Sequence, residues 1–233
     1  MKRTVLLAFF SVFLLGTATT KAQFNEDELG AWYMYIFSGS FNAESPWGYQ
    51  GDIQYRNWNT IGDLEQLLIR GAATYVPKNT NVKLALGYAS ITSGAFGDDD
   101  ATSHESRIYQ EANVPGKIGN KIALNHRFRY EQRFVDGQDF RTRYRYNLFV
   151  NIPFKGNTIV AKTWYASLYN EIFVNGGRDI GSGRTVEIFD RNRFYAAIGY
   201  AVKDNLKVQL GVMRQSTDNW SKNQLQLSLH HKL

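Results

Sequence analysis

The chain has 233 residues, 43% hydrophobic, 15% aromatic and 21% charged, with 20 Gly, 4 Pro and no Cys. So many aromatic side chains exclude a disordered chain, and the lack of Cys excludes disulfide and thiolate–zinc scaffolds. The formal charge is +6 and the mean hydropathy −0.38; with no apolar run of ~18 residues, a polytopic helical membrane protein is excluded too.

Lys2 and Arg3 give a positive start, and Thr4 to Leu15 follow as an apolar stretch. That stretch is too short to span a ~30 Å hydrocarbon core with margin and fits the core of a signal peptide. Small residues gather from Gly16 to Thr20, and Ala22 suits a signal peptidase. Residues 1–22 are therefore expected to be a cleaved signal peptide, followed by a single domain over 23–233. No Cys follows the apolar stretch, so a lipid anchor is excluded. Loss of Lys2, Arg3 and Lys21 lowers the formal charge to about +3. The high pI thus owes much to the discarded part, and no nucleic-acid partner is expected.

From Leu29 onward, apolar residues recur at every second position. Strands turn successive side chains to opposite faces, so this period marks sheets between two different environments. Strands are expected near 29–41, 49–58, 65–76, 81–91, 104–114, 121–134, 139–152, 158–173, 186–202, 205–215 and 222–233. Several exceed the ~5–6 residues common in soluble proteins and reach the ~9–11 needed by a tilted membrane strand. Short connectors at 77–80, 115–120, 154–157 and 203–204 alternate with long ones at 92–103 and 174–185. Short turns at one rim and longer loops at the other describe an outer-membrane barrel. The expected fold class is all-β, an antiparallel up-and-down transmembrane β-barrel of ten to twelve strands. Twelve is favoured, because closed bacterial barrels of one chain are usually even-numbered.

The apolar face of such a barrel meets lipid and the polar face lines the lumen. Trp32, Trp47, Trp58, Tyr75, Tyr88, Phe134, Phe173 and Trp220 fall near expected strand ends, where aromatic rings favour the interface. In the last segment, Leu225, Leu227, Leu229 and Leu233 are in phase, in the manner of a C-terminal targeting strand, although His231 interrupts them.

One ordered set of segments is distinctive: His126 to Phe134 (HRFRYEQRF), Arg141 to Asn147, Tyr169 to Asn175, Asp190 to Tyr195, then Ile198-Gly199-Tyr200. In this combination the chain resembles a family of bacterial outer-membrane barrels that carries only a domain-of-unknown-function label. The resemblance covers most of the chain after residue 29. It implies fold and location and supplies no activity.

The hairpin 121–152 can be registered from its pattern. Both polar sets are odd-numbered, and a loop at Asp136-Gly137-Gln138 keeps them on one face while supplying Gly for a left-handed backbone. Glu131 then faces Arg143, Arg129 faces Arg145, Arg133 faces Arg141, and Arg127 faces Asn147. Like charges opposite one another are unfavourable. Counter-charges are expected from Glu105 and Glu111, on the parity of Arg107 and Tyr109, and from Glu171. With Arg193, these residues form the expected lumen charge network. The favoured reading is a lumen filled largely by its own Arg/Glu/Tyr side chains. The sharper alternative is a narrow electropositive passage for small anions, which guanidinium groups suit.

Catalysis finds little support. Ser103-His104-Glu105-Ser106 collects suitable residue types, but His104 and Glu105 are adjacent in a strand and point to opposite faces. His230-His231 splits in the same way. Asp98-Asp99-Asp100 lacks the spaced ligands of a calcium loop. No cofactor and no metal are expected. The expected function is a non-enzymatic outer-membrane barrel of structural or small-solute channel type. Its partners are outer-membrane lipid, the barrel-insertion machinery and, as candidate solutes, small anions. A membrane-embedded lipid hydrolase or modifying enzyme and a soluble periplasmic lipid-binding barrel stay open as alternatives.

Overall fold

A computed structural model describes residues 28–97 and 99–233. The expected signal peptide and Asp98 lie outside the described residues. Eleven strands follow one another: β1 (Gly30–Ser40), β2 (Trp47–Asn57), β3 (Leu64–Tyr75), β4 (Lys83–Gly94), β5 (Thr102–Ile118), β6 (Ile122–Val135), β7 (Arg141–Pro153), β8 (Thr163–Asn175), β9 (Phe189–Lys203), β10 (Leu206–Ser216) and β11 (Ser221–Lys232). Each pairs antiparallel with its chain neighbour, and the sheet closes on itself. The count lies within the expected ten to twelve, but the preference for twelve is corrected. In an odd up-and-down series the first and last strands run the same way. The barrel therefore closes through a parallel seam, from Gly30↔Gln224 to Ser38↔Lys232.

Strand direction defines two rims. The N-terminal rim carries the connections 58–63, 95–101, 136–140, 176–188 and 217–220. The C-terminal rim carries 41–46, 76–82, 119–121, 154–162 and 204–205. The asymmetry is milder than the sequence suggests. Residues 158–162 are connection rather than strand: Lys162 has φ 63, Ala161 N donates to Asp204 Oδ1 at 2.7 Å, and Lys162 N donates to Ala201 O at 2.6 Å. The hairpin β5–β6 runs the other way. Its pairing continues to Ile118↔Ile122 and leaves a tight turn at Gly119, whose φ is 56.

The two faces differ as the period requires. Leu86 is 60% exposed on the outside, whereas Glu131 is 1% exposed inside. Leu84, Ile108, Phe128, Tyr144, Phe194, Ile198, Leu210 and Leu227 also point outward and are exposed. The interior is mostly polar, with small apolar clusters such as Leu68, Ala89, Ile91 and Tyr109. Two aromatics expected at the outer rim belong to this interior. Trp32 is 2% and Phe173 1% exposed. Trp32 is registered with Arg56 on β2, and Phe173 shares the parity of Glu171 on β8.

Inward glycines make room for inward tyrosines. Gly199 lies opposite the buried Tyr165, and a Cβ at Gly199 would overlap that ring. Gly199→Ala is expected to lower the stability of the refolded barrel by ~1–3 kcal/mol, the usual cost of overpacking. Gly71, with nothing within 4 Å of a Cβ, is the control. Equal urea midpoints for Gly199→Ala and Gly71→Ala would show that the Tyr165 ring gives way freely.

Candidate functional site

The hairpin β6–β7 sets the frame of the site. Its register contains Glu131↔Arg143, Arg129↔Arg145, Arg133↔Arg141 and Arg127↔Asn147, and Gly137 turns it with φ 66. On the other flank, β5 aligns Tyr109↔Glu131, Glu111↔Arg129 and Arg107↔Arg133. Strand alternation thus delivers long cationic side chains from three neighbouring strands into one strip of the interior.

The carboxylates stand between the guanidinium groups. Glu105 takes Arg107 through Nε at 2.6 Å and Nη2 at 2.8 Å, and Arg133 through Nε at 2.5 Å and Nη2 at 2.9 Å. Glu131 lies 2.7 Å from Arg143, 2.5 Å from Arg145 and 3.7 Å from Arg129. Glu111 pairs with Arg129 at 2.5 Å and lies 3.9 Å from Arg127. Glu171 pairs with Arg145 at 2.6 Å and Arg127 at 2.7 Å. The cross-strand pairs Arg107–Arg133 and Arg129–Arg145 would repel if bare. Each shares a carboxylate, Glu105 in one case and Glu131 in the other, and such charge-assisted bonds are the strong kind.

Two of the expected network residues stand apart. Arg141 is half-buried near the N-terminal rim and makes no ion pair among the described residues. Arg193 is registered opposite Glu171 but donates to Gln215 Oε1 at 2.7 Å. The sequence reading missed several members. Asp190 accepts from Arg143 at 2.7 Å, and Arg70 pairs with Asp52 at 2.9 Å. Arg56, Glu65 and Trp32 are buried in the interior as well. The alternation Asp52, Ile53, Gln54, Tyr55, Arg56 carried a usable signal for β2. Asp190 carried none, because the β8–β9 register shifts between Phe173 and Val174.

The residues weighed for catalysis do not converge. His104 is exposed while Glu105 points inward. His126 faces outward and hydrogen-bonds Tyr146 Oη at 2.8 Å. His230 bonds Ser228 Oγ at 2.9 Å, whereas His231 bonds Tyr35 Oη at 3.1 Å on the other face. Among the described residues, no group of three His, Asp or Glu is placed to hold a metal.

The lumen is not wholly filled. A cavity of about 590 Å³ lies inside the barrel. Its lining includes the connection residues Ile159, Asp204 and Asn205 of the C-terminal rim, and no described residue from a connection of the N-terminal rim. The N-terminal end is packed instead. Gln215, Lys222, Gln224 and Asn57 are buried there, and Lys222 Nζ donates to Trp58 O at 2.5 Å. At the same rim the 176–188 connection is tied to the 136–140 turn: Asp139 N donates to Ile180 O at 3.0 Å, and the Arg184 guanidinium donates to Gly137 O. Among the described residues, the cavity therefore extends to the C-terminal rim, while the N-terminal end is occupied by buried side chains. Chemically, the cavity offers fixed guanidinium donors, amides and aromatic faces.

Comparison with known proteins gives a family and nothing beyond it. No match was found among curated proteins or among solved structures. A family model described as a protein of unknown function (DUF2490) matches residues 29–226, and the chain belongs to that family.

Proposed function

We propose that this chain is an outer-membrane β-barrel, exported through a signal peptide cleaved after Ala22 and inserted by the barrel-insertion machinery. Its role is structural or concerned with a small solute, and it is not enzymatic. The carrying observation is the inverted distribution of side chains. A closed sheet with no free edge presents exposed Leu, Ile, Phe and Tyr outward and buries Arg and Glu inside. Lipid favours that arrangement, and only helices and closed barrels satisfy the backbone within it. Short turns usually face the periplasm, which puts the C-terminal rim, with its connections 119–121 and 204–205, on that side.

The interior supports a blind pocket over a through-channel. The packed N-terminal rim would block conduction, while positive charge in the hollow part favours small anions as the solute.

The mature protein is expected to fractionate with the outer membrane and to migrate faster when unboiled. Cysteine at Leu148 or Val150 is expected to react with lipid-phase probes, and cysteine at the buried Asn147 is not. Recovery in the soluble periplasm with the reversed labelling pattern would overturn the membrane reading in favour of a soluble lipid-binding barrel.

A further inference from the structure

Two buried arginines differ from the rest. Arg56 on β2 is 5% exposed and Arg193 on β9 is 7% exposed. Neither has a carboxylate within ion-pair distance among the described residues. Arg56 donates to Gln54 Oε1 at 2.5 and 3.1 Å and to Gln66 Oε1 at 2.6 Å. Arg193 donates through Nε to Gln215 Oε1 at 2.7 Å.

Both guanidinium groups lie against one indole. The Cζ atoms of Arg56 and Arg193 are 3.8 Å and 4.8 Å from the Trp32 ring centroid. Trp32 is itself held by Nε1 donating to Glu65 Oε2 at 3.0 Å, and Arg193 also lies 4.7 Å from the Phe173 ring. Amides and ring faces orient a guanidinium without cancelling its charge. Two such cations gathered around one ring repel in an interior of low dielectric. Elsewhere in this barrel, carboxylates bridge neighbouring arginines. Here the neighbouring carboxylates, Glu65 beside Trp32 and Glu171 across from Arg193, make no ion pair with either arginine, and both side chains line the cavity.

The approach to this pair has matching chemistry. Lys83, Lys207 and Lys232 line the cavity toward the C-terminal rim, and none makes an ion pair among the described residues. Cations around a concave mouth raise the local concentration of anions. Between mouth and floor stand the rings of Phe149, Tyr165, Tyr169 and Tyr195. The cavity volume falls in the ~300–1,000 Å³ range of small-molecule sites.

We propose that Arg56 and Arg193 form the anion-binding floor of a pocket for a small organic oxyanion, a carboxylate or phosphate carried on an apolar body. The ligand enters from the C-terminal rim, its charged group supplies the direct ion-pair partner that Glu65 and Glu171 do not, and its body packs against the aromatic wall. This inference rests on the small-anion pocket proposed above and deepens it, and it does not depend on the membrane reading.

The test is calorimetric titration of the mature barrel refolded in detergent micelles. Phenyl phosphate and benzoate are the probes, benzyl alcohol is the uncharged analogue, and inorganic phosphate is the bare anion. One equivalent of phenyl phosphate or benzoate is expected to bind. Inorganic phosphate should bind more weakly and benzyl alcohol not at all. Arg56→Gln and Arg193→Gln are each expected to weaken phenyl phosphate binding about tenfold or more, the loss of charge-assisted bonds. Lys207→Gln at the mouth should matter less and lose its effect in high salt.

Heat-modifiable migration checks that each variant has folded. The unfolding midpoint of Arg193→Gln should not fall, because one of two repelling cations is gone; a purely structural arginine would lower it. Should an arginine variant fail to refold, tryptophan emission decides. Phenyl phosphate should shift the emission of the unaltered barrel, and Trp32→Phe should abolish that shift. Absence of binding, equal binding of benzyl alcohol or inorganic phosphate, unchanged affinity in both arginine variants, or an emission shift retained in Trp32→Phe would each overturn the proposal. None of these results bears on fractionation or lipid labelling, so failure of the pocket and failure of the membrane reading are distinguishable.

Discussion

Glu105→Gln is expected to destabilise the refolded barrel by ~3–5 kcal/mol, the cost of leaving a buried charge without its partner. Glu105 is buried and takes both forks, from Arg107 and from Arg133, on one carboxylate. Neither arginine has another carboxylate within ion-pair distance among the described residues. The amide of Gln keeps one acceptor and loses the charge. Two guanidinium groups paired across β5 and β6 are then left facing each other. Urea titration of the variant would measure the loss. Replacing Arg107 and Arg133 with Met in the same chain should recover most of it, since an apolar replacement of a whole buried ion cluster is often neutral or stabilising. A loss below ~1 kcal/mol would mean that water screens the triad as it screens a surface pair, and the packed lumen at this level would be wrong.

Much of this was legible in the sequence, for a definable reason. Side-chain period depends only on local geometry. The alternation Arg127, Arg129, Glu131, Arg133 against Phe128, Tyr130, Gln132, Phe134 therefore fixes the facing of β6. Parity across a Gly-containing loop then fixes its register with β7. Glu105, Glu111 and Glu171 follow because crowded cations require acids of the same parity nearby. Trp32 and Phe173 are misplaced by the sequence pattern because an apolar side chain suits the lipid-facing side as well as an aromatic-lined interior. On β8 the parity of Glu171 contained the right answer for Phe173. On β1 both faces are apolar or aromatic, since Trp32, Met34 and Ile36 line the cavity beside the alternating Tyr33 and Tyr35, and the pattern is mute.

Other features are non-local and left no such trace. The parallel seam joins β1 to β11, and nothing in either strand states which partner closes the barrel. Asp190 enters the network through a register shift that resets parity on β9. The arginine pair without a direct carboxylate partner depends on two strands far apart in sequence, β2 and β9, meeting at one indole. Within β2 alone, Arg56 is just another residue of the polar face.

Glu131→Gln is expected to cost less than Glu105→Gln, about 1.5–3 kcal/mol on the scale of hydrogen bonds to charged groups. Glu131 is more deeply buried and lies within ion-pair distance of three arginines. Each of those keeps a second acid: Arg143 keeps Asp190, Arg145 keeps Glu171, and Arg129 keeps Glu111. The network therefore redistributes its remaining charge, where the Glu105 triad cannot. Adding Arg143→Gln to Glu131→Gln should restore part of the loss, and the double-mutant cycle should show a coupling of ~0.5–3 kcal/mol, as contacting residues do. Neither the parent nor the variant should give unitary conductance in planar bilayers, because the packed N-terminal rim ends the cavity. A neutral effect on stability, together with anion-selective conductance that changes in Glu131→Gln, would require a watery lumen open at both ends. That result would replace the blind pocket with a channel.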